Sequence, residues 1–244
     1  MMKKYYVQLK KGRSDTLLNA ISKNLKIDEA TAKRTIIQGS VWFENKRLKN
    51  PSQIIKEESL VVFFPEFPIE EFALDKNDII YEDDYLTVIN KRPGVNSNQS
   101  PFSDIDSLPY GVQKYYDEKK IDYKVNVINR LDKPTSGLVF FAKNKEIEIF
   151  LHKLFKERNI RKLYLAVTPK FDLTKTTYFI KDEVEWRGKE KEAVTYIKFL
   201  KENDGKFYFI VYPLTGRTHQ IRKHFLKYLT PIIGDALYGE YRSE

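Results

Sequence analysis

One carboxylate stands out for the chemistry it can do. Asp132 lies in Asn129-Arg130-Leu131-Asp132-Lys133-Pro134-Thr135-Ser136-Gly137, a turn-rich run that leads directly into the apolar Leu138-Val139-Phe140-Phe141-Ala142. A loop feeding a buried strand can hold a carboxylate at a sheet edge, ready to act as nucleophile or general base. An Asp ahead of Pro-Thr-Ser-Gly is equally good turn chemistry. A second group is Leu214-Thr215-Gly216-Arg217-Thr218-His219-Gln220-Ile221-Arg222. Here the start of a helix offers backbone amides and two arginines, suited to a phosphate or to a carboxylate from elsewhere. A helix cap with solvated arginines is the plainer alternative. Arg222 lies about 100° around the helix from Ile221, so it flanks the buried face and can reach inward.

What is missing narrows the chemistry. The chain has no cysteine, which excludes a disulfide scaffold, a thiolate metal site and a cysteine nucleophile. His152, His219 and His224 do not sit with ligand-spaced carboxylates, so no metal is expected. Asp132 has arginines around it and no carboxylate partner at motif spacing, which counts against a two-carboxylate glycosidase.

These segments need elements to position them. After Pro65-Glu66-Phe67-Pro68 and an acidic stretch to Asp78, strand-like runs begin at Ile79 and Leu86 and recur at 138–142, 163–167, 193–197 and 207–212. Asn144 can cap a helix carrying Ile147, Phe150, Leu151, Leu154 and Phe155, and a further helix is expected over 218–228. Several strands with few helices predict an α+β fold with a mixed, largely antiparallel sheet. The domains are expected at 1–65 and 79–244, joined by a linker at 66–78.

The first segment reads as a small α/β unit. Ser14 or Asp15 can cap one helix and Asp28 a second that ends near Gly39, followed by strands at 41–43 and 60–64. Charge is uneven: residues 1–65 hold 13 Lys or Arg against 6 Asp or Glu, and residues 66–244 hold 30 against 28. Segregated charge suits a polyanion, although a lysine-rich composition also produces solvated faces. Lys33, Arg34, Lys46, Arg47 and Lys49, near Trp42 and Phe43, form a combination suited to a phosphate backbone with exposed bases. Ser97, Asn98 and Gln99, in a polar loop after Pro93-Gly94, are further candidates for contact. No apolar run is long enough to span a membrane, so the expected location is the cytoplasm, with a monomer favoured.

Residues 12–64, with two short helices, a Gly39-Ser40-Val41 turn and an Asn45 hairpin, resemble the S4-type RNA-binding module. The Asp132 segment, Lys162-Leu163-Tyr164-Leu165-Ala166-Val167 and the Arg217–Arg222 segment, in that order, resemble the three active-site motifs of the RluA-type pseudouridine synthases. That resemblance implies conversion of uridine to pseudouridine in RNA, ribosomal RNA first and transfer RNA second, without a cofactor. It implies that Asp132 is the catalytic aspartate, that Tyr164 stacks on the target base and that Arg222 pairs with Asp132. Arg130 would help fill the space left by the flipped nucleotide, with Arg217 beside it on the RNA. A catalytically silent RNA-binding relative is the alternative.

The chemistry suits these residue types. A desolvated aspartate needs a cation to stay ionised, and a flat aromatic can hold a freed uracil while it rotates. Two departures from the family are visible. Asn129 stands where the family commonly has His, which predicts altered loop packing or RNA contact, and the sequence ends at Glu244, soon after Gly234-Asp235-Ala236-Leu237-Tyr238-Gly239.

Overall fold

Thr16, rather than Ser14 or Asp15, caps the first helix. Its hydroxyl accepts from the Asn19 amide at 3.2 Å, because residues 14–16 are extended in a short strand and only Thr16 abuts the helix. The computed structural model describes residues 3–8, 14–56, 59–64, 69–186 and 188–239. The chain forms two compact units, residues 1–148 and 149–244. The linker prolines Pro65 and Pro68 lie outside the described residues.

The first unit begins with β1 (Lys3–Gln8), β2 (Ser14–Thr16), α1 (Leu17–Leu25), α2 (Glu29–Ile37), β3 (Val41–Phe43), β4 (Lys46–Leu48), β5 (Ile54–Lys56) and β6 (Ser59–Phe64). Asp28 caps α2, accepting from the Thr31 amide at 2.8 Å. Strands order as β1-β6-β3-β4, all antiparallel, with β2 and β5 as a separate pair. One face of the larger sheet and both helices bury Leu17, Ile21, Ile36, Val41, Leu60 and Val62 in a closed core. Each such side chain contributes about 1.5–3 kcal/mol by leaving water. Phe43 packs against this core, so it does not join Trp42 on an exposed surface.

A second core in the same unit is built from β7 (Ile79–Glu82), β8 (Leu86–Lys91), α3 (Leu108–Glu118) and β9 (Gly137–Ala142), with strand order β7-β8-β9. Ile89, Val112, Tyr116, Val139 and Phe141 fill it. Asn144 caps α4 (Lys145–Lys156), accepting from Ile147 N–H at 2.9 Å, but Phe150 on that helix is exposed rather than part of the buried stripe. Burial pushes the Glu148 carboxyl up, yet Lys145, Tyr123 and Asn126 outweigh it and hold it at about 2.

The second unit is a sheet of order β10-β13-β12-β11 with one helix on it: β10 (Tyr164–Pro169), β11 (Thr177–Trp186), β12 (Lys189–Asn203), β13 (Lys206–Pro213) and α5 (Gln220–Tyr228). Phe225 of α5 meets Phe209 of the sheet edge-on at 5.5 Å, and Phe199, Phe207 and Phe171 extend that aromatic core. Among the described residues no helix is long and apolar enough to cross a membrane.

His224, next to Phe225, is buried, and neither ring nitrogen has a hydrogen-bond partner among the described residues. Burial lowers its pKa, with Asp182 opposing and Lys227 assisting. As pH falls below the ordinary histidine value near 6.5, the unfolded chain takes up a proton that the folded chain resists, so stability drops. We expect the protein to lose stability between pH 7.5 and 5, measured by urea denaturation, and His224→Phe to lose less over the same interval.

Candidate active site

Asp132 is half-buried in a loop whose main chain is pinned on both sides. On the N-terminal side the buried Ser97 hydroxyl accepts from the Leu131 amide at 3.1 Å and donates to the Leu131 carbonyl at 2.7 Å. On the C-terminal side the Lys133 carbonyl accepts from the Gly94 amide at 2.8 Å and from the Lys91 ammonium at 3.2 Å. The Asp132 carbonyl closes a turn with the Thr135 amide at 2.9 Å. Leu131 packs into the core beneath, so the loop is anchored by apolar contact as well.

Lys91 is the unexpected member of this site. It ends β8 only 1% exposed, and its ammonium donates to the carbonyls of Arg92, Val95 and Lys133 at 3.1, 3.0 and 3.2 Å. Burial pulls it down to about 8, and the Asp132 carboxylate opposes that shift. The ammonium therefore ties the loop of residues 92–95 to the loop of Asp132 and adds positive charge beside the carboxylate. Above about pH 8 the amine has two hydrogens for three carbonyls. We expect the rate of the reaction to fall on the alkaline side near pH 8, and Lys91→Met to be slower and to lack that limb. The same variant should lose about 1–3 kcal/mol of stability by leaving carbonyls without a donor.

Asn129 behaves as a piece of strand. Its side chain donates to the Leu138 carbonyl at 2.9 Å and accepts from the Phe140 amide at 2.9 Å, along the edge of β9 turned away from β8. These two bonds tie the residue before Arg130 to the strand that follows the Asp132 loop. Arg130, next to it, is exposed.

Tyr164, Arg217 and Arg222 belong to the second unit. Tyr164 opens β10 opposite Val211 of β13 and packs against the aromatic core. Two residues earlier, Lys162 donates to the Thr215 carbonyl at 3.0 Å, tying the start of β10 to the arginine segment. Burial lowers its pKa, and Arg158 and Arg217 add to that. The arginine segment is fixed by Gln220, whose buried amide accepts from Thr215 Oγ1 at 2.6 Å and the Arg217 amide at 3.0 Å. It donates to the Val194 carbonyl at 3.0 Å and Thr195 Oγ1 at 2.8 Å. His219 precedes α5 in the left-handed region at φ 54°, a conformation costing a non-glycine residue about 1–2 kcal/mol, so the turn before Gln220 is held against its preference.

Arg222 does reach inward, to a partner that its own segment does not mark. Its Nε and Nη2 fork onto the two oxygens of Asp235, both at 2.7 Å, and its guanidinium lies 5.0 Å from the Tyr238 ring centre. Asp235 also accepts from the Leu237 and Tyr238 amides at 3.1 Å, and Arg222 keeps its carboxyl below the usual range. The signal available in sequence was an Asp after Gly234 in a turn-like run, with nothing to pair it with Arg222. Arg217 donates through Nε to the Glu192 carbonyl at 3.0 Å.

The cations of residues 1–65 divide. Lys33, Arg34 and Lys46 are exposed. Arg47 is committed inside the unit, donating to the carbonyls of Gly39 and Ser100, and lies 4.4 Å from the Trp42 ring centre. Burial lowers its pKa while Asp104 and Asp106 oppose. Gly39, at φ 84°, has no Cβ, and one there would stand 2.8 Å from the Arg47 guanidinium, so the close approach requires glycine. Lys49 pairs with Asp104 at 3.0 Å. Ser97 is used internally, whereas Asn98 and Gln99 are exposed. Among the described residues no group of three or more His, Asp or Glu side chains is placed to hold a metal ion.

The family model for RNA pseudouridylate synthase matches residues 85–227. The chain belongs to that family. It is therefore an RNA pseudouridine synthase, an isomerase, and its antiparallel α+β architecture is that of pseudouridine synthases. It is similar to a protein of Rickettsia felis named ribosomal large subunit pseudouridine synthase C, 31% identical over 98% of this chain and 80% of that one. It is also similar to an uncharacterised RNA pseudouridine synthase of Bacillus subtilis, 31% identical over 78% of this chain and 72% of the relative. The solved structure of human RNA pseudouridylate synthase domain containing 4 shares the fold with a TM-score of 0.56 and 25% identity, covering 68% of this chain and 70% of that one. The matched region of the synthase takes in Lys91, Ser97, Asp132, Tyr164, Gln220 and Arg222, while Asp235 falls beyond it.

Proposed function

We propose that the chain isomerises uridine in ribosomal RNA, with Asp132 as the catalytic carboxylate and no cofactor. The observation that carries this reading is the rigid suspension of Asp132 between Ser97 and Lys91 in a chain whose relatives act on the large ribosomal subunit by name. In the reaction the bond from C1′ to N1 breaks, the uracil turns, and a bond from C1′ to C5 forms, with a hydrogen lost from C5 and one gained at N1. Asp132 can serve by adding to the sugar or base, or by taking a proton from the sugar to leave a glycal. Tyr164 stacks on the uracil during its rotation. Arg222 supplies the cation that pairs with the Asp132 carboxylate in the reaction. Arg130 occupies the space left by the flipped nucleotide, and Arg217 contacts the RNA backbone.

Residues 1–65 act as an S4-like RNA-docking module, a reading supported by their own closed core, distinct from the one beneath Asp132. Lys33, Arg34 and Lys46 meet phosphates, while Arg47 stiffens the module. The reaction takes place in the cytoplasm on a monomer.

Pseudouridine mapping of total RNA from cells with and without the gene tests this. Sites in ribosomal RNA should vanish in the deletion, return with the wild-type gene and stay absent with Asp132→Asn. Sites lost only from transfer RNA would overturn the substrate, and sites restored by Asp132→Asn would overturn the catalytic assignment.

A further inference from the structure

The outer face of the N-terminal sheet carries side chains of the wrong kind for a face turned to water. In an antiparallel sheet with one buried side, outward positions are ordinarily polar. Here Val7, Leu60, Val62 and Val41 point into the core, so the alternate positions Lys4, Tyr6, Val61, Phe63 and Trp42 face out. Register aligns Tyr6, Val61, Trp42 and Arg47 in one row across four strands, with Lys4 opposite Phe63 in the next. Tyr6 is 70% exposed.

This face is charged as well as aromatic. Lys4 lies 4.9 Å from the Tyr6 ring centre and 5.9 Å from that of Phe63. Trp42 is held still, its indole N–H donating to the Pro101 carbonyl at 2.6 Å and the Arg47 guanidinium stacked upon it. The loop carrying Asn98 and Gln99 stands along one edge, and Asn45 lies at the β3–β4 turn, making a cleft of about 480 Å³. The Asn98 carbonyl oxygen caps the Gln99 amide at 2.9 Å, which leaves the Asn98 amide hydrogens and the exposed Gln99 side chain for a ligand.

We propose that this face is a platform for unpaired RNA nucleotides, distinct from the helix surface that carries Lys33 and Arg34. A base stacks on Tyr6 and Phe63, Lys4 neutralises a phosphate, and the amides of Asn45, Asn98 and Gln99 meet base edges. Stacking on an aromatic sheet tolerates any base, and the edge amides add preference. The segregated positive charge of residues 1–65 favours a polyanion over a protein partner here. The inference rests on the reading of the chain as an enzyme of RNA, and adds the place where single-stranded RNA beside the target is held.

Trp42 sits in the platform and can report on it directly. The full chain carrying Trp186→Phe, which leaves Trp42 as the single tryptophan, is titrated with a single-stranded oligouridylate while Trp42 emission is followed. Quenching is expected. Tyr6→Ala should weaken the affinity by about tenfold and Tyr6→Phe should retain it. Lys4→Ala should lower the slope of log affinity against log salt by about 0.7. Equal affinity for Tyr6→Ala and the parent would overturn the platform. So would equal quenching by polyglutamate, since the face would then be a general polyanion or protein surface. Pseudouridine formation by the wild-type chain on ribosomal RNA is measured alongside. Pseudouridine formed without the Tyr6 effect removes the platform alone, and the Tyr6 effect without pseudouridine removes the proposed substrate alone.

Discussion

Replacing Asp132 with asparagine lowers the rate of pseudouridine formation by about 10³-fold or more while the folded structure and RNA affinity persist. The size follows from the chemistry: an amide of the same shape can neither attack as a nucleophile nor accept a proton at neutral pH. The selectivity follows from the geometry. The loop is held by the main chain of Leu131 and Lys133, through Ser97, Gly94 and Lys91, so the Asp132 side chain can lose its charge without releasing the backbone. Single-turnover rates with the variant in excess over RNA separate the chemical step from binding. A decrease confined to affinity would place Asp132 in RNA contact instead.

The second large effect belongs to Asp235. In Asp235→Ala the Arg222 guanidinium, with its side chain 13% exposed, loses a bidentate partner that is itself 4% exposed. Removing one half of a buried ion pair costs about 3–5 kcal/mol, because the remaining charge stays desolvated. Urea denaturation at pH 7 should show that loss. Asp235→Asn should lie between, since it keeps one oxygen for Arg222 but no charge. The sign of the pH dependence is fixed by the depressed Asp235 pKa: its contribution is complete above the ordinary aspartate value near 3.9 and disappears as pH falls through the folded value. Arg222 would also lose its orientation, so the rate should fall with the stability. A variant as stable as the wild type would show that the fork is incidental.

Much of the architecture could be read from residues that act locally. Asn144 and Asp28 cap helices as expected because capping involves only the next three residues. Strands β8, β9 and β13 are apolar enough to be recognised. By contrast α3 begins with Leu108-Pro109 and includes Gly111, which disguise it as loop. The long pairing of β11 with β12 was missed because Lys181, Asp182, Glu190 and Lys191 put charges where strands usually alternate.

The same division holds for the site. Asp132 and Arg222 stand out through the likeness of their segments to family motifs, whereas Lys91, Ser97 and Gln220 each reach a main-chain group more than 20 residues away, and no residue pattern marks a carbonyl that needs a donor. Arg47 shows the converse, a cation legible as a phosphate contact that the fold occupies with carbonyls and Trp42.

Forming the C1′–C5 bond displaces the hydrogen on C5 of uridine, so RNA tritiated at that carbon releases label to water once for each conversion. Tritium release from ribosomal RNA by the purified chain, compared with Asp132→Asn at saturating RNA, is the most direct measurement. Release to a whole-number stoichiometry by the wild type, and none by the variant over the same interval, is expected. Release by Asp132→Asn at the wild-type rate would contradict it.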